Sequence, residues 1–91
     1  MRVRIFGTLR EVVAAKELEV PVVAGDTVRA MLAQLTAERP RLEEKIWDDD
    51  RELRSSVHVL VNGRSIRYLD GLDSILQEDD QLALFPAVGG G

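Results

Sequence analysis

Hydrophobic and polar residues alternate along four stretches of the chain, at 1–6, 17–23, 57–61 and 81–85. A period of two is typical of strands that bury one face, so each stretch is predicted to be a strand. Pro21 cannot donate a ladder hydrogen bond, which implies that the second strand lies at a sheet edge or that this position is unpaired. Asn62-Gly63 is the preferred pair for a type I′ turn and predicts a hairpin that continues into a fifth strand from Arg64.

One longer segment has helical spacing instead. Val28, Met31, Leu32 and Leu35 follow the i, i+3, i+4, i+7 rule and form one apolar stripe. Asp26 or Thr27 can cap the helix, and Pro40 ends it because proline disfavours helical geometry at the residue before it.

Shorter elements are predicted around this helix and before the last strand. Residues 40–47 suggest a further short helical turn in which Trp47 joins the core, and residues 48–56 suggest a charged loop. A short helical piece is expected at Asp73–Leu76, and Pro86 is expected to end the last strand.

The predicted order is β-β-α-β-β-β, with a short connection between the first two strands. One helix laid across a mixed sheet of about five strands buries the helix stripe and one sheet face. This is an α+β fold of the β-grasp type. We expect a single domain over residues 1–85 and a flexible, glycine-rich tail over residues 86–91.

Strand parity predicts what lies on the sheet face that has no helix to cover it. If Val3, Val59 and Leu84 face the helix, the opposite face carries large apolar groups, and such a patch often marks a binding surface. The expected contents of this open face are Arg4, Phe6, His58, Leu60, Ala83 and Phe85. Of these, Phe6, Leu60, Phe85 and Arg4 are predicted to contact a partner protein.

Composition narrows the possible functions. The net charge of −4 argues against a nucleic-acid partner, and the absence of cysteine excludes a thiolate metal site or thiol nucleophile. No apolar stretch near the N-terminus is long enough for a signal peptide or membrane span, so a cytoplasmic protein is expected. His58 is interpreted as an open-face contact and Asp48–Asp50 as a solvated loop. No catalytic residue, metal site or intrinsically bound cofactor is predicted.

The ending "FPAVGGG" suggests a chemical role for the C-terminus. Pro86, Ala87, Val88 and Gly89 lead to Gly90 and Gly91, and glycines without β-carbons can enter a narrow channel. The reactive group would be the carboxylate of Gly91, or of Gly90 after trimming. Adenylation by ATP on a partner enzyme would make it an acyl donor.

The chain resembles the MoaD/ThiS sulfur carriers, above all the MoaD branch and the related small archaeal modifier proteins. The resemblance rests on "FGTLRE", "DTV", "VNG" and above all on the Phe-Pro-x-Val-x-Gly-Gly ending. Ala87 stands where the family usually has a second proline, and Gly89 where a small polar residue is common. The insertion from Arg39 to Ser56 favours the MoaD type over the shorter thiamin carriers.

The resemblance implies a ubiquitin-like fold and a non-enzymatic carrier whose C-terminal glycine is activated by an E1-like adenylyltransferase of the MoeB/ThiF type, which uses ATP-Mg. The product would be a thiocarboxylate, with its sulfur delivered for molybdopterin synthesis on a MoaE-type large subunit. Conjugation to substrate lysines, sulfur transfer to tRNA or thiamin precursors, and a binding module with an inert tail are the alternatives.

Overall fold

The computed structural model describes residues 1–86, which contain a mixed five-stranded sheet. The strands are β1 (Arg2–Ile5), β2 (Glu17–Glu19), β3 (Val57–Val61), β4 (Arg64–Ser65) and β5 (Leu82–Pro86). Their order across the sheet is β2-β1-β5-β3-β4. β1 pairs with β5 in parallel, and the other pairs are antiparallel. The predicted β-grasp fold is therefore confirmed, with β2 at an edge as Pro21 indicates.

The helices are α1 (Leu9–Val13), α2 (Val28–Glu38) and α3 (Glu43–Ile46), with 3₁₀ turns at Pro40–Leu42, Ile66–Tyr68 and Gly71–Asp73. Thr27 caps α2, because its side-chain oxygen accepts a hydrogen bond from the Ala30 amide at 3.1 Å. Asp26 instead accepts from the Val23 amide at 3.0 Å and so orders the preceding turn. No helix within residues 1–86 is long and apolar enough to cross a membrane.

The core lies between α2 and one face of the sheet. The predicted helix stripe is buried, with Val28, Met31, Leu32 and Leu35 all at most 1% exposed. The facing strand residues that are buried against it are Val3, Ile5, Leu18, Val57, Val59, Leu82 and Leu84. Val61 shares their parity but is only half-buried, because it packs at the rim of this core.

The predicted turn at Asn62-Gly63 is confirmed, whereas the predicted short connection between β1 and β2 is wrong. Asn62 and Gly63 have φ of 54° and 83°, which confirms the two-residue turn with positive φ at both central positions. The connection between β1 and β2 is not a short turn, since it contains α1. A five-residue helix is too short for a periodic pattern to reveal it.

One further expectation is wrong in position. The helical turn expected at Asp73–Leu76 lies at Gly71–Asp73, because Ile75 instead forms a β-bridge with Thr27. Pro86, which is expected to end the last strand, is the last described residue of β5 and lies opposite Val57. Proline lacks an N–H, yet its fixed φ of about −65° fits an extended chain end.

The charged segment after α3 is a loop, as predicted. Trp47 is 5% exposed and its indole N–H points to the Thr36 hydroxyl at 3.4 Å, so it belongs to the core. The Asp48 carboxylate accepts hydrogen bonds from the amides of Asp50 and Glu52 at 2.8 and 3.0 Å. This first aspartate of the acidic run therefore orders its own loop.

Candidate functional site

The open face of the sheet contains a shallow apolar groove of about 380 Å³. Strands β3 and β5 and the residues directly after β1 supply its walls. Phe6, Leu60, Ala83 and Phe85 have the parity of the open face, and Gly7 and Pro86 complete the groove at the end of β5. The residues that line this apolar groove are Phe6, Gly7, Leu60, Ala83, Phe85 and Pro86. The parity prediction is thus correct for Phe6, Leu60, Ala83 and Phe85, which the fold brings together.

Aromatic contacts hold the middle of the apolar groove in place. The rings of Phe6 and Phe85 meet edge to face, with centroids 6.4 Å apart and planes at 89°. His58 lies directly across from Phe85 in the β3–β5 pairing, and its ring centroid is 5.3 Å from that of Phe85. Edge-to-face and offset pairs are favourable arrangements for aromatic quadrupoles. Phe85 is therefore oriented by neighbours on both sides.

His58 has a structural role in this arrangement. Arg67 reaches across from the turn after β4, with Nη1 3.1 Å from His58 Nδ1 and Nη2 3.2 Å from the Ser55 carbonyl oxygen. A guanidinium can only donate, so Nδ1 is the acceptor in this contact. This agrees with the interpretation of His58 as a contact residue of the open face. Within residues 1–86, no group of three or more His, Cys, Asp or Glu side chains could hold a metal ion.

Two arginines flank the Phe6 edge of the apolar groove. The guanidinium carbons of Arg4 and Arg10 lie 5.5 and 5.1 Å from the centroid of the Phe6 ring, within the range of a cation–π contact. Arg10 Nε also donates to the Ile5 carbonyl oxygen at 2.6 Å, which fixes its side chain. Arg4 was predicted at this site, whereas Arg10 was missed because α1 was missed.

The arginines continue into a second groove of about 390 Å³ beside β1. This cationic groove is lined by Arg2, Arg4, Arg10, Lys16, Glu17, Asp80, Gln81 and Leu82. Arg2 lies 3.7 Å from Glu17. Among residues 1–86, no carboxylate forms an ion pair with Arg4, Arg10 or Lys16. In the described part of the chain, positive charge without a carboxylate partner thus lies beside the apolar groove, although the protein as a whole is acidic.

The apolar groove adjoins the end of β5, the point from which the C-terminal residues continue. Phe85 and Pro86 line the groove and are also the last two described residues. The predicted tail residues Ala87, Val88, Gly89, Gly90 and Gly91 lie outside the described residues. Gly7, which contacts Pro86, was not singled out from the sequence, where only its place after a strand could have marked it.

Comparison with known proteins identifies relatives over the full chain. The model of the ThiS family matches residues 3–91. Small archaeal modifier protein 3 of Haloferax volcanii is 37% identical over 91 residues, which cover 100% of this chain and 98% of that protein. Sulfur carrier protein CysO of Mycobacterium tuberculosis is 30% identical over 70 residues, which cover 75% of each chain.

A solved structure agrees with these sequence relatives. The crystal structure of SAMP1 from Haloferax volcanii matches with a TM-score of 0.86 and 34% identity, covering 99% of this chain and 97% of that chain. The predicted likeness to the MoaD/ThiS carriers is confirmed. The chain belongs to the ThiS family of ubiquitin-like sulfur carriers and small archaeal modifier proteins.

Proposed function

We propose that this chain is a carrier protein whose working group is its C-terminal carboxylate, at Gly91 or, after trimming, at Gly90. An E1-like adenylyltransferase transfers AMP from ATP-Mg to that carboxylate and releases pyrophosphate. A sulfur nucleophile in the oxidation state of hydrosulfide then attacks the acyl carbon and displaces AMP, which leaves a thiocarboxylate. The chain supplies the acyl group, and the partner supplies the catalytic residues and the nucleotide site.

One observation supports this proposal most strongly. The apolar groove that contains Phe6, Leu60 and Phe85 lies at the end of the strand that leads into the Gly-Gly terminus. A partner that covers this groove would hold the chain close to the root of the tail. A patch of half-buried aromatic groups on a small domain is typical of a binding surface.

The charge around the groove supports a partner surface that is acidic. Arg4 and Arg10 flank Phe6, and Lys16 extends the positive charge along β1. The E1-like enzyme of the MoeB/ThiF type should therefore present carboxylates beside the apolar residues that enter the groove. Complementary charges of this kind raise association rates and fix the docking register.

The proposed sulfur acceptor is the pterin precursor of molybdopterin, held by a MoaE-type large subunit. The same groove would serve both partners in turn, first the activating enzyme and then the large subunit. The relative CysO is named a sulfur carrier protein, which supports the carrier step itself. The choice of a pterin acceptor rests on the resemblance of the C-terminal ending to the MoaD branch.

A second role is conjugation to lysines of substrate proteins. The matches to small archaeal modifier proteins 3 and 1 of Haloferax volcanii cover this whole chain and favour it. The first step is the same adenylation, after which a lysine amine takes the acyl group and AMP leaves. Tail-derived Gly-Gly remnants on lysines in digests from producing cells would identify this role.

The carrier role is tested by intact-protein mass spectrometry after incubation with the activating enzyme of the same organism, ATP-Mg and hydrosulfide. We expect the mass of the chain to rise by the difference between sulfur and oxygen, and fragmentation to place that change at the last residue. A chain that lacks Gly90 and Gly91 is the control and should stay unmodified. No mass change in the full chain would contradict the proposal.

A further inference from the structure

Gly7 lies beside Pro86 because of how β1 and β5 pair. The two strands run parallel, with Ile5 opposite Leu84, and the Phe6 amide donates to the Leu84 carbonyl oxygen at 3.0 Å. Gly7, which follows Phe6, therefore lies beside Pro86 at the end of β5. A β-carbon at position 7 would lie 2.9 Å from Pro86 Cγ and 3.0 Å from Pro86 Cδ.

Those separations leave no room for a side chain. Real β-carbons essentially never approach a heavy atom closer than 3.0 Å, so a methyl group at position 7 would displace the proline ring. On its other side, Pro86 pairs with Val57 of β3. The proline is thus held between the end of β1 and the start of β3, at the residue from which the C-terminal segment continues.

Backbone conformation alone does not explain glycine at this position. Gly7 has φ of +62°, in the left-handed region, but Ala14 adopts φ of 56° in the same chain. Gly71 has φ of +59° with no atom within 4 Å of the place where its β-carbon would be. Gly7 differs from both in its contact with the Pro86 ring.

We propose that Gly7 is a positioning residue for the C-terminus. Its missing side chain lets the Pro86 ring pack against the backbone, and this contact sets the direction in which the chain leaves the sheet. The inference rests on the proposed function, which requires that the terminal carboxylate be delivered into a partner's nucleotide site. A misplacement of about 1 Å can lower the rate of a reaction about 100-fold.

The test compares four variants of the full chain: Gly7→Ala, Gly71→Ala, Pro86→Ala and the double variant Gly7→Ala/Pro86→Ala. Gly71→Ala is the matched control, since it has the same backbone strain without a neighbouring ring. The measurements are kcat/KM for ATP-dependent adenylation by the activating enzyme, and the thermal unfolding midpoint.

We expect Gly7→Ala to lower kcat/KM by about tenfold or more relative to Gly71→Ala, while the two variants unfold at similar temperatures. In the Pro86→Ala background, the added Gly7→Ala change should have little further effect on kcat/KM, because the ring it displaces is gone. Equal kcat/KM for Gly7→Ala and Gly71→Ala, or effects that simply multiply in the double variant, would overturn the proposal.

A second measurement does not depend on activation. Residual dipolar couplings of the Phe85 amide and of the Pro86 Cα–Hα bond report the direction of the chain at the end of β5. Gly7→Ala should change these couplings and Gly71→Ala should leave them as in the wild type. Unchanged couplings in Gly7→Ala would refute the positioning role even if the chain is activated. If the wild type is not activated at all, the proposed function fails, and the couplings alone decide the role of Gly7.

Discussion

The two faces of the sheet are built from the same strands but differ in burial and in the types of residue they carry. Neighbouring residues of β5 show the contrast: Leu84 is fully buried against α2, whereas Phe85 is half-buried on the open face beside Phe6 and His58. The covered face is uniformly aliphatic. The open face combines aromatic rings with arginines. A single residue of register thus separates the positions that maintain the fold from those available to a partner.

The largest difference is expected when a leucine is truncated on each face of the sheet in turn. Leu84→Ala should lower the free energy of unfolding by about 2–5 kcal/mol, since it leaves a cavity in a fully packed core. Leu60→Ala on the open face should lower it by only about 1 kcal/mol, because Leu60 is half-buried. Urea denaturation measures both, and equal losses would show that the open face is part of the core.

Phe85→Ala should have the converse effect, with a loss of binding rather than of stability. A central aromatic residue of an interface often contributes about 2 kcal/mol or more, so affinity for the activating enzyme should fall at least about 30-fold. Isothermal titration calorimetry measures the affinity, and circular dichroism verifies the fold. Unfolding of Phe85→Ala would contradict its placement on the open face.

Arg10→Glu should have a smaller effect, which depends on salt. The substitution reverses one charge beside Phe6 and should slow association with the activating enzyme several-fold at low ionic strength, and less at high salt. Arg41→Glu is the control, because it changes the net charge equally at an exposed position in the 3₁₀ turn after α2. Stopped-flow measurements that show the same slowing for both variants would argue for a general charge effect.

The smallest expected effect concerns an exposed ion pair at the edge of the sheet. The Met1 ammonium lies 2.8 Å from the Glu19 carboxylate. The hydrogen bond from this ammonium is the main cause that lowers the pKa of Glu19, and the positive charge of the ammonium is the second cause. A carboxylate with a lowered folded-state pKa stabilises the fold above its unfolded pKa and loses that contribution as the pH falls through the folded value.

Glu19→Gln should therefore be slightly less stable than the wild type at neutral pH, and the difference should vanish in acid. Because Glu19 is exposed, the effect should be small and screened by salt. Thermal unfolding as a function of pH measures it, with Glu38→Gln at the end of α2 as a carboxylate control. A difference between Glu19→Gln and wild type that persists at low pH would show that another contact of Glu19 matters.

Periodicity was sufficient to predict the sheet, α2 and the open face. Each of these depends on a repeat long enough to be visible, such as the alternation of 1–6 or the stripe from Val28 to Leu35. The convergence of Phe6, Leu60 and Phe85 followed from parity alone, because residues of equal parity on paired strands share a face.

The parts that were missed depend on tertiary contacts. Helix α1 is too short for a pattern, so Arg10 could not be placed beside Phe6. The extended segment around Ile75 follows from its bridge to Thr27, which no local propensity reveals. The role of Gly7 depends on the parallel pairing of β1 with β5, and a glycine after a strand has many possible explanations.

In the proposed function, the open face docks a partner that activates the C-terminal glycine. ATP–pyrophosphate exchange catalysed by the activating enzyme tests it most directly, because exchange requires the acyl-adenylate to form. We expect exchange with the wild-type chain, a strong reduction with Phe85→Ala at limiting concentration, and none with a chain that lacks Gly90 and Gly91. Equal exchange with the truncated chain, or no exchange with the wild type, would contradict the claim.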